Sequence, residues 1–244
     1  MFRENKMEFK LYRVFLTLVS RGVMLTALMP LACFIKAWVA MKLGDRTAAG
    51  EGRLSLDFRR HTDWFGMLMI LVFGFGWSKE INIDVSRLKN MKRDVTFISL
   101  ASAVTYFIMY VILRNISQLI LGINPASFIL ASLYFILRKA AFSSLFFGII
   151  ALLPIPPLDG FHIFYQFSWP KFRRWYFANY QKITEWSRYI LLAVFLLESV
   201  SDGEFSIFAP LSYMWRLLFD RLIFFNPELS KTTQTILEEI IFRC

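Results

Sequence analysis

The stretch ALLPIPPLDGFHIF, residues 151–164, ends a long apolar run with prolines and then places an acid, Asp159, beside a glycine. Proline removes backbone N–H donors and kinks a helix, while glycine lets another group approach the backbone closely. The stretch therefore predicts an unwound corner that points one carboxylate inward. The residues that build this corner are Pro154, Pro156, Pro157 and Gly160.

The chain around the corner is strongly apolar. Of its 244 residues, 57% are hydrophobic and 18% are aromatic, whereas soluble domains are about 45–50% apolar. Residues 95–113 and 140–158 contain no charged side chain, and apolar runs of about 18 residues or more indicate membrane-spanning helices. A soluble core hardly accommodates several such runs, so the sequence predicts an all-α, polytopic integral membrane protein.

The net charge of +10 has to be interpreted in that setting. The basic residues cluster between the apolar runs, within 42–60, 79–93 and 171–182. Loops of this kind face the cytoplasm and its anionic leaflet. The charge therefore indicates a membrane surface as the partner and argues against nucleic acid.

The chain divides into four predicted parts: a short polar N-terminal segment (1–12), a membrane core (13–169), an interfacial helix with C-terminal transmembrane helices (170–225), and an amphipathic tail (226–244). In the third part, the interfacial helix is predicted over 170–188 and the apolar segments over 188–200 and 205–225. Within the core, spanning helices are predicted over about 14–41, 95–114 and 127–152. Residues 66–77 are apolar but too short to span unless they are tilted or re-entrant.

A strand-like pattern follows the short apolar segment. In SKEINIDVSRLKN, residues 78–90, apolar residues alternate with polar ones at Ile81, Ile83 and Val85. Non-helical backbone at membrane depth is tolerated only where protein or a water-filled cavity covers it. The pattern therefore predicts a small membrane-associated β-hairpin beside the core.

Four stretches resemble the site-2 protease family of intramembrane zinc metalloproteases, particularly its compact bacterial and archaeal members. In chain order they are AWVAMKLGDRTA (37–48), GRLSLDFRRHTDWFG (52–66), GFGWSKEINIDVSRLKNMKRD (74–94) and LLPIPPLDG (152–160). The resemblance covers roughly residues 30–165. It implies a three-helix core, a zinc ion held by two histidines and an aspartate, and a glutamate that activates a zinc-bound water.

The sequence departs from that family at the metal centre. The aspartate ligand matches Asp159, but the three positions of the His-Glu-x-x-His motif fall on Ala32, Cys33 and Lys36. Alanine offers no lone pair and a protonated ammonium cannot ligate, while cysteine binds zinc but cannot serve as that general base in the same manner. The chain thus resembles a degenerate pseudoprotease member. The family's asparagine is Ala151 here, and its Gly-Pro pair is Ser102-Ala103.

Lys36 occupies the position of the family's second histidine ligand, and its presence there can be interpreted in two ways. An unpaired carboxylate at membrane depth costs at least a few kcal/mol, so a Lys36–Asp159 ion pair is the predicted replacement for the metal centre. The other interpretation is that Lys36 snorkels to the nearby basic loop. A metal site built from Cys33, Asp159 and one displaced histidine is also conceivable, although His61 and His162 are more simply interfacial hydrogen-bonding residues.

The expected function is that of a catalytically inactive binding, adaptor or scaffold subunit for other membrane proteins or transmembrane segments, within a larger complex and without a cofactor. The resemblance implies that a bound segment adds as a strand to the hairpin, whose residues are Trp77, Ser78, Lys79, Glu80, Ile81, Asn82 and Ile83. The resemblance also implies the inner, cytoplasmic membrane of a prokaryote. The alternative is an active zinc metalloprotease with an atypical metal site.

Overall fold

The computed structural model describes residues 2–62, 64–123 and 127–200, together with positions 213, 217–218 and 222–223, and side chains from residue 11 onward except 195 and 197–200. Over these ranges the ordered structure is helical and contains no strand. The helices are α1 (Phe2–Val23), α2 (Met29–Leu43), α3 (Thr47–Gly50), α4 (Phe58–His61), α5 (Trp64–Phe73), α6 (Met91–Ile123), α7 (Phe128–Ala151), α8 (Asp159–Phe167), α9 (Pro170–Ala178) and α10 (Tyr180–Val200).

Three of the described helical segments are long and apolar enough to cross a membrane: Leu11–Leu43, Met91–Ile123 and Phe128–Ala151. They match the three spanning helices predicted for the core. Together with the uncharged runs that build them, they make this a multi-pass, mainly α-helical membrane protein. The short apolar segment forms α5, whose ten residues extend only about 15 Å and cannot cross a bilayer.

The first spanning segment is one rod interrupted by a π-helical turn, Met24–Leu28, between α1 and α2. Pro30 follows that turn and has no N–H to donate to the preceding turn of helix. The backbone N–H of Met29 reaches back to the carbonyl of Met24, which is the five-residue spacing of a π-turn. The interruption is therefore explained by the proline.

Helices α6 and α7 form the centre of the bundle, and α2 packs against α6. Small side chains allow the close approach, since Ala103, Ala140 and Ala141 are fully buried. The hydroxyl of Ser144 donates to the carbonyl of Tyr106 at 2.8 Å and joins the two helices. The core thus holds three helices around the level of Tyr106.

The predicted β-hairpin is wrong for the described residues. Residues 77–83, named the extended segment below, contain no helix and form only one antiparallel bridge, between Thr62 and Ser78. Beside this bridge the N–H of Lys79 donates to the carbonyl of His61 at 2.6 Å. A hairpin requires a second strand in register, but residues 85–87 turn as a 3-10 helix. Side chains from elsewhere hold this segment, as described below.

The C-terminal part begins with two helices instead of one interfacial helix. The predicted helix over 170–188 breaks at Asn179, which separates α9 from α10, and the predicted apolar segment 188–200 is the second half of α10. The predicted transmembrane segment 205–225, apart from the single positions named above, and the predicted tail 226–244 lie outside the described residues.

Candidate functional site

The proline corner connects α7 to α8 as a series of tight turns. The N–H of Ile155 donates to the carbonyl of Leu153 at 2.8 Å, and the N–H of Leu158 donates to the carbonyl of Ile155 at 2.9 Å. Pro156 and Pro157 are joined by a cis peptide bond. Consecutive turns therefore separate the end of α7 at Ala151 from the start of α8 at Asp159.

Gly160 allows the corner to close. A Cβ atom at this position would lie 2.7 Å from the carbonyl oxygen of Leu153 and closer still to that of Leu152. Both neighbours are backbone atoms, so neither can move aside as a flexible side chain could. The absence of a side chain at Gly160 thus brings the first turn of α8 onto the corner and sets the position of Asp159.

Asp159 is the first residue of α8 and receives one hydrogen bond on each carboxylate oxygen. The ammonium of Lys36 from α2 forms an ion pair with Oδ1, and the hydroxyl of Ser102 from α6 donates to Oδ2. The side chains of the charged pair are 13% and 14% exposed. The N-terminal end of α8 adds a favourable interaction with the negative charge. Three separate helices therefore meet at one carboxylate.

The other two positions of the family's metal motif lie beside this pair on α2. Ala32 is fully buried, and Cys33 is a buried free thiol that lies next to the hydroxyl of Ser78. The structure therefore brings together Ala32, Cys33, Lys36 and Asp159, all of which line one cavity.

That cavity has a volume of about 500 Å³, within the range of pockets that hold small ligands or part of a peptide. The little-exposed ion pair and Ser102 line it together with apolar side chains, among them Tyr106 and Phe147. The sequence-predicted residues Trp77, Ser78, Lys79, Glu80 and Ile81 line it as well. Among the predicted corner residues, Pro157 reaches the wall.

The outer part of the cavity is aromatic and charged. The rings of Phe65 and Trp77 lie with their centroids 5.6 Å apart. Glu80 forms an ion pair with Arg188 of α10 at 2.7 Å, between side chains that are more than half exposed. This pair joins the extended segment to α10, so the cavity is bounded by two elements that the core helices do not supply.

Buried polar side chains hold the extended segment in place. The guanidinium of Arg53, 5% exposed, donates to the carbonyl of Glu80 at 3.1 Å and to the carbonyl of Arg60. The carboxylate of Asp45 accepts from the N–H of Asp84 at 2.9 Å and from the N–H of Thr47 at 2.9 Å. These contacts do for this backbone what a partner strand does in a hairpin.

Neither histidine is among the residues that line the cavity beside Asp159. His61 is fully buried, and its Nε2 donates to the carbonyl of Ser55 at 2.6 Å. Burial lowers the pKa of His61 below its usual 6.5, and its Nδ1 has no hydrogen-bond partner in the described part of the chain. His162 is on α8, and its side chain is exposed.

The side chains at the family's zinc position do not make a zinc donor set. Ala32 has no donor atom, Lys36 has only N–H groups to offer, and both oxygens of Asp159 accept hydrogen bonds. Cys33 alone is a zinc-binding type. Among the residues that the structure describes, no three His, Cys, Asp or Glu side chains lie close enough to hold a metal ion. The arrangement does not fit zinc.

Three contributors to the site were missed by the sequence argument. Ser102 was noticed only as a departure from the family's Gly-Pro pair, although a hydroxyl within an uncharged span is itself a signal of an interhelical hydrogen bond. Arg53 and Arg188 were counted only with the basic clusters or not at all. Both contact Glu80, which is 27 and 108 residues away along the chain. No local sequence pattern indicates contacts over such separations.

Comparison with known proteins places this geometry in context. Residues 13–196 match the family model of peptidase family M50. The protein YwhC of Bacillus subtilis (strain 168), named as a zinc metalloprotease, is 36% identical over 141 residues, which are 52% of this chain and 59% of that protein. The chain thus spans under two thirds of the length of this curated relative. No solved structure matches the chain.

Proposed function

The chain belongs to peptidase family M50, the family of the site-2 proteases, and from this premise we propose that it is a member without hydrolytic activity that binds segments of other membrane proteins. One observation carries the proposal. The aspartate at the family's third ligand position is held by Lys36 and Ser102 instead of facing two histidines.

Hydrolysis by this family's route needs a metal-bound water and a general base beside it. At the corresponding positions this chain has a methyl group, a thiol and an ammonium, on Ala32, Cys33 and Lys36. The ammonium also offsets the charge that the metal would otherwise balance. The carboxylate is therefore retained as an anchor between α2, α6 and α8, and the corner keeps its shape without catalysis.

The cavity beside this anchor is suited to hold an unwound peptide. Its lining is mainly apolar, it lies next to the membrane-spanning core, and one side is the extended segment from Trp77 to Ile81. The backbone of such a segment offers hydrogen-bonding groups to an incoming strand. We propose that the protein is an adaptor or scaffold subunit in the cytoplasmic membrane of a prokaryote and works in complexes with other membrane proteins.

Metal analysis tests the loss of the catalytic centre. The purified wild type is expected to contain far less than one zinc per chain after exposure to zinc and desalting. The triple variant Ala32→His/Cys33→Glu/Lys36→His restores the family's motif opposite Asp159, and it is expected to retain zinc. Stoichiometric zinc in the wild type that is lost in Asp159→Ala would refute the proposal and favour an atypical metalloprotease.

Site-specific photocrosslinking tests the binding role. A photoreactive residue at Ile81, inside the cavity, is expected to crosslink to transmembrane or juxtamembrane segments in native membranes, and mass spectrometry identifies the crosslinked peptides. The matched control carries the same residue at Val104, which is exposed on α6. Filling the cavity with Ala151→Phe should remove the Ile81 products and leave the Val104 products. Equal products from both positions would argue against a specific binding cavity.

A further inference from the structure

The second candidate surface lies outside the cavity, on α9 and the start of α10. Between Gly160 and Thr184 the chain has no acidic residue but has four cations: Lys171, Arg173, Arg174 and Lys182. Within the described part of the chain, none of the four forms an ion pair. We propose that this surface binds the headgroups of anionic phospholipids at the membrane interface.

The position of α9 follows from the helices on either side of it. Helix α8 starts at Asp159, inside the bundle, and its far end at Phe167 is about 12 Å away along the helix axis. Helix α10 contributes Arg188 to the cavity, and its start at Tyr180 is also about 12 Å from that point. Helix α9 joins these two ends and, in the part of the chain that the structure describes, makes no extensive contact with the three spanning helices.

The two faces of α9 differ in composition. The inner face packs on α8, where the ring of Tyr176 lies 4.7 Å from that of Phe161 and the ring of Phe172 lies 5.4 Å from that of Phe164. The outer face carries Lys171, Arg174 and Trp175, all exposed. Their spacing of three and four residues puts them on one side of the helix.

Large aromatic side chains surround these cations. Trp169 and Trp175 are 62% and 56% exposed, and Phe177 is 81% exposed. Exposure of such rings to water is unfavourable, but tryptophan is stable at the level of lipid headgroups. A helix with basic residues beside exposed aromatic rings is typical of segments that lie in the interface plane.

The charge selects the lipid. Lysine and arginine near a membrane surface favour anionic headgroups by about fivefold for each cation. No carboxylate on α8 or α9 beyond Asp159 competes for these cations. The surface therefore fits a phosphate-bearing anionic lipid such as phosphatidylglycerol and discriminates against zwitterionic phosphatidylcholine.

Tryptophan quenching by brominated lipids in vesicles tests this proposal with the full chain. The protein is reconstituted in phosphatidylcholine vesicles doped with either brominated phosphatidylglycerol or brominated phosphatidylcholine. Stronger quenching by the brominated phosphatidylglycerol is expected. The apparent preference should fall by about 25-fold in Lys171→Gln/Arg174→Gln, because two cations of about fivefold each are removed. If that double variant does not fold, the single variants Lys171→Gln and Arg174→Gln should each show part of the fall.

A matched control removes the same charge elsewhere. Lys89→Gln/Lys92→Gln neutralises two exposed lysines in another basic cluster, near the start of α6, and should keep the stronger quenching of Trp169 and Trp175 by brominated phosphatidylglycerol. The variant Trp169→Phe/Trp175→Phe should no longer be quenched more strongly by brominated phosphatidylglycerol than by brominated phosphatidylcholine, since these two rings report on the lipid beside α9. Equal preference in both double-charge variants, or excess quenching that survives loss of both tryptophans, would overturn the proposal. Displacement of the lipid by inorganic phosphate would also overturn it.

Discussion

Replacement of Lys36 by methionine should destabilise the protein although the new side chain is apolar. The substitution leaves the Asp159 carboxylate without its counter-charge in a site where each side chain is only 13–14% exposed. Removal of one partner from a buried ion pair costs about 3–5 kcal/mol. The partial exposure places the expected loss of unfolding free energy at the low end, about 3 kcal/mol.

Substitution of the other partner, Asp159→Asn, should lower the free energy of unfolding by less. The amide oxygen can still accept from Ser102, and the long stem of Lys36 allows its ammonium to move toward the surface. An expected loss of about 2 kcal/mol follows from these two compensations. The double variant removes both charges and should lose about 3 kcal/mol in all, so that the two changes are coupled by about 2 kcal/mol.

Equilibrium unfolding in mixed detergent micelles, followed by far-ultraviolet circular dichroism, measures each free energy. Lys42→Met is the matched control, because Lys42 lies on the same helix, is exposed, and has its ammonium 5.5 Å from the centre of the Trp38 ring. That change should stay within about 0.5 kcal/mol of the wild type. Additive effects of the Lys36 and Asp159 changes, within about 0.5 kcal/mol, would refute the ion pair as the replacement for a metal.

Three further predictions concern the proline corner, helix α5 and His61. Gly160→Ala should lower the unfolding free energy by about 2–4 kcal/mol, because its Cβ would meet the carbonyl of Leu152; Gly122→Ala, where nothing lies within 4 Å, should not. Arg21→Met should speed amide hydrogen exchange in α5, because the guanidinium caps the carbonyls of Leu71 and Val72 at 2.7 Å; unchanged exchange would count against this capping. The lowered pKa of His61 means that the unfolded chain binds more protons, so unfolding free energy should fall as pH decreases below about 6.5; a pH profile unaltered by His61→Gln would contradict this.

The family and the placement of the three spanning helices of the core could be predicted from the sequence, and the comparisons and the structure confirm both. Uncharged runs such as 95–113 identify a spanning helix directly, because every residue of the run adds to its hydropathy. The alignment register also put Lys36 opposite Asp159, and the structure has these two side chains in contact. A motif of fixed spacing carries this information because its positions on α2 and at the corner come together in the fold.

The extended segment shows where local pattern fails. Alternation at Ile81 and Ile83 predicted a paired strand, yet alternation reports only which side of an extended chain is covered. Ile81 faces the cavity, and the backbone is held by the guanidinium of Arg53 instead of a second strand. A long-range side-chain contact of this kind has no periodic signature in the sequence.

The π-turn at Met24–Leu28 affects the orientation of Lys36, which lies on the helix that follows it, α2. A π-turn accommodates one extra residue, and one residue corresponds to about 100° of rotation in an α-helix. The azimuth of α2, and with it the direction in which Lys36 points, is therefore set by a turn eight residues before that lysine. Deletion of one residue from this turn would rotate the ammonium away from Asp159 without changing any residue of the site itself. The direction of the Lys36 side chain therefore depends on a turn of the same rod that is adjacent to neither Lys36 nor Asp159 in sequence.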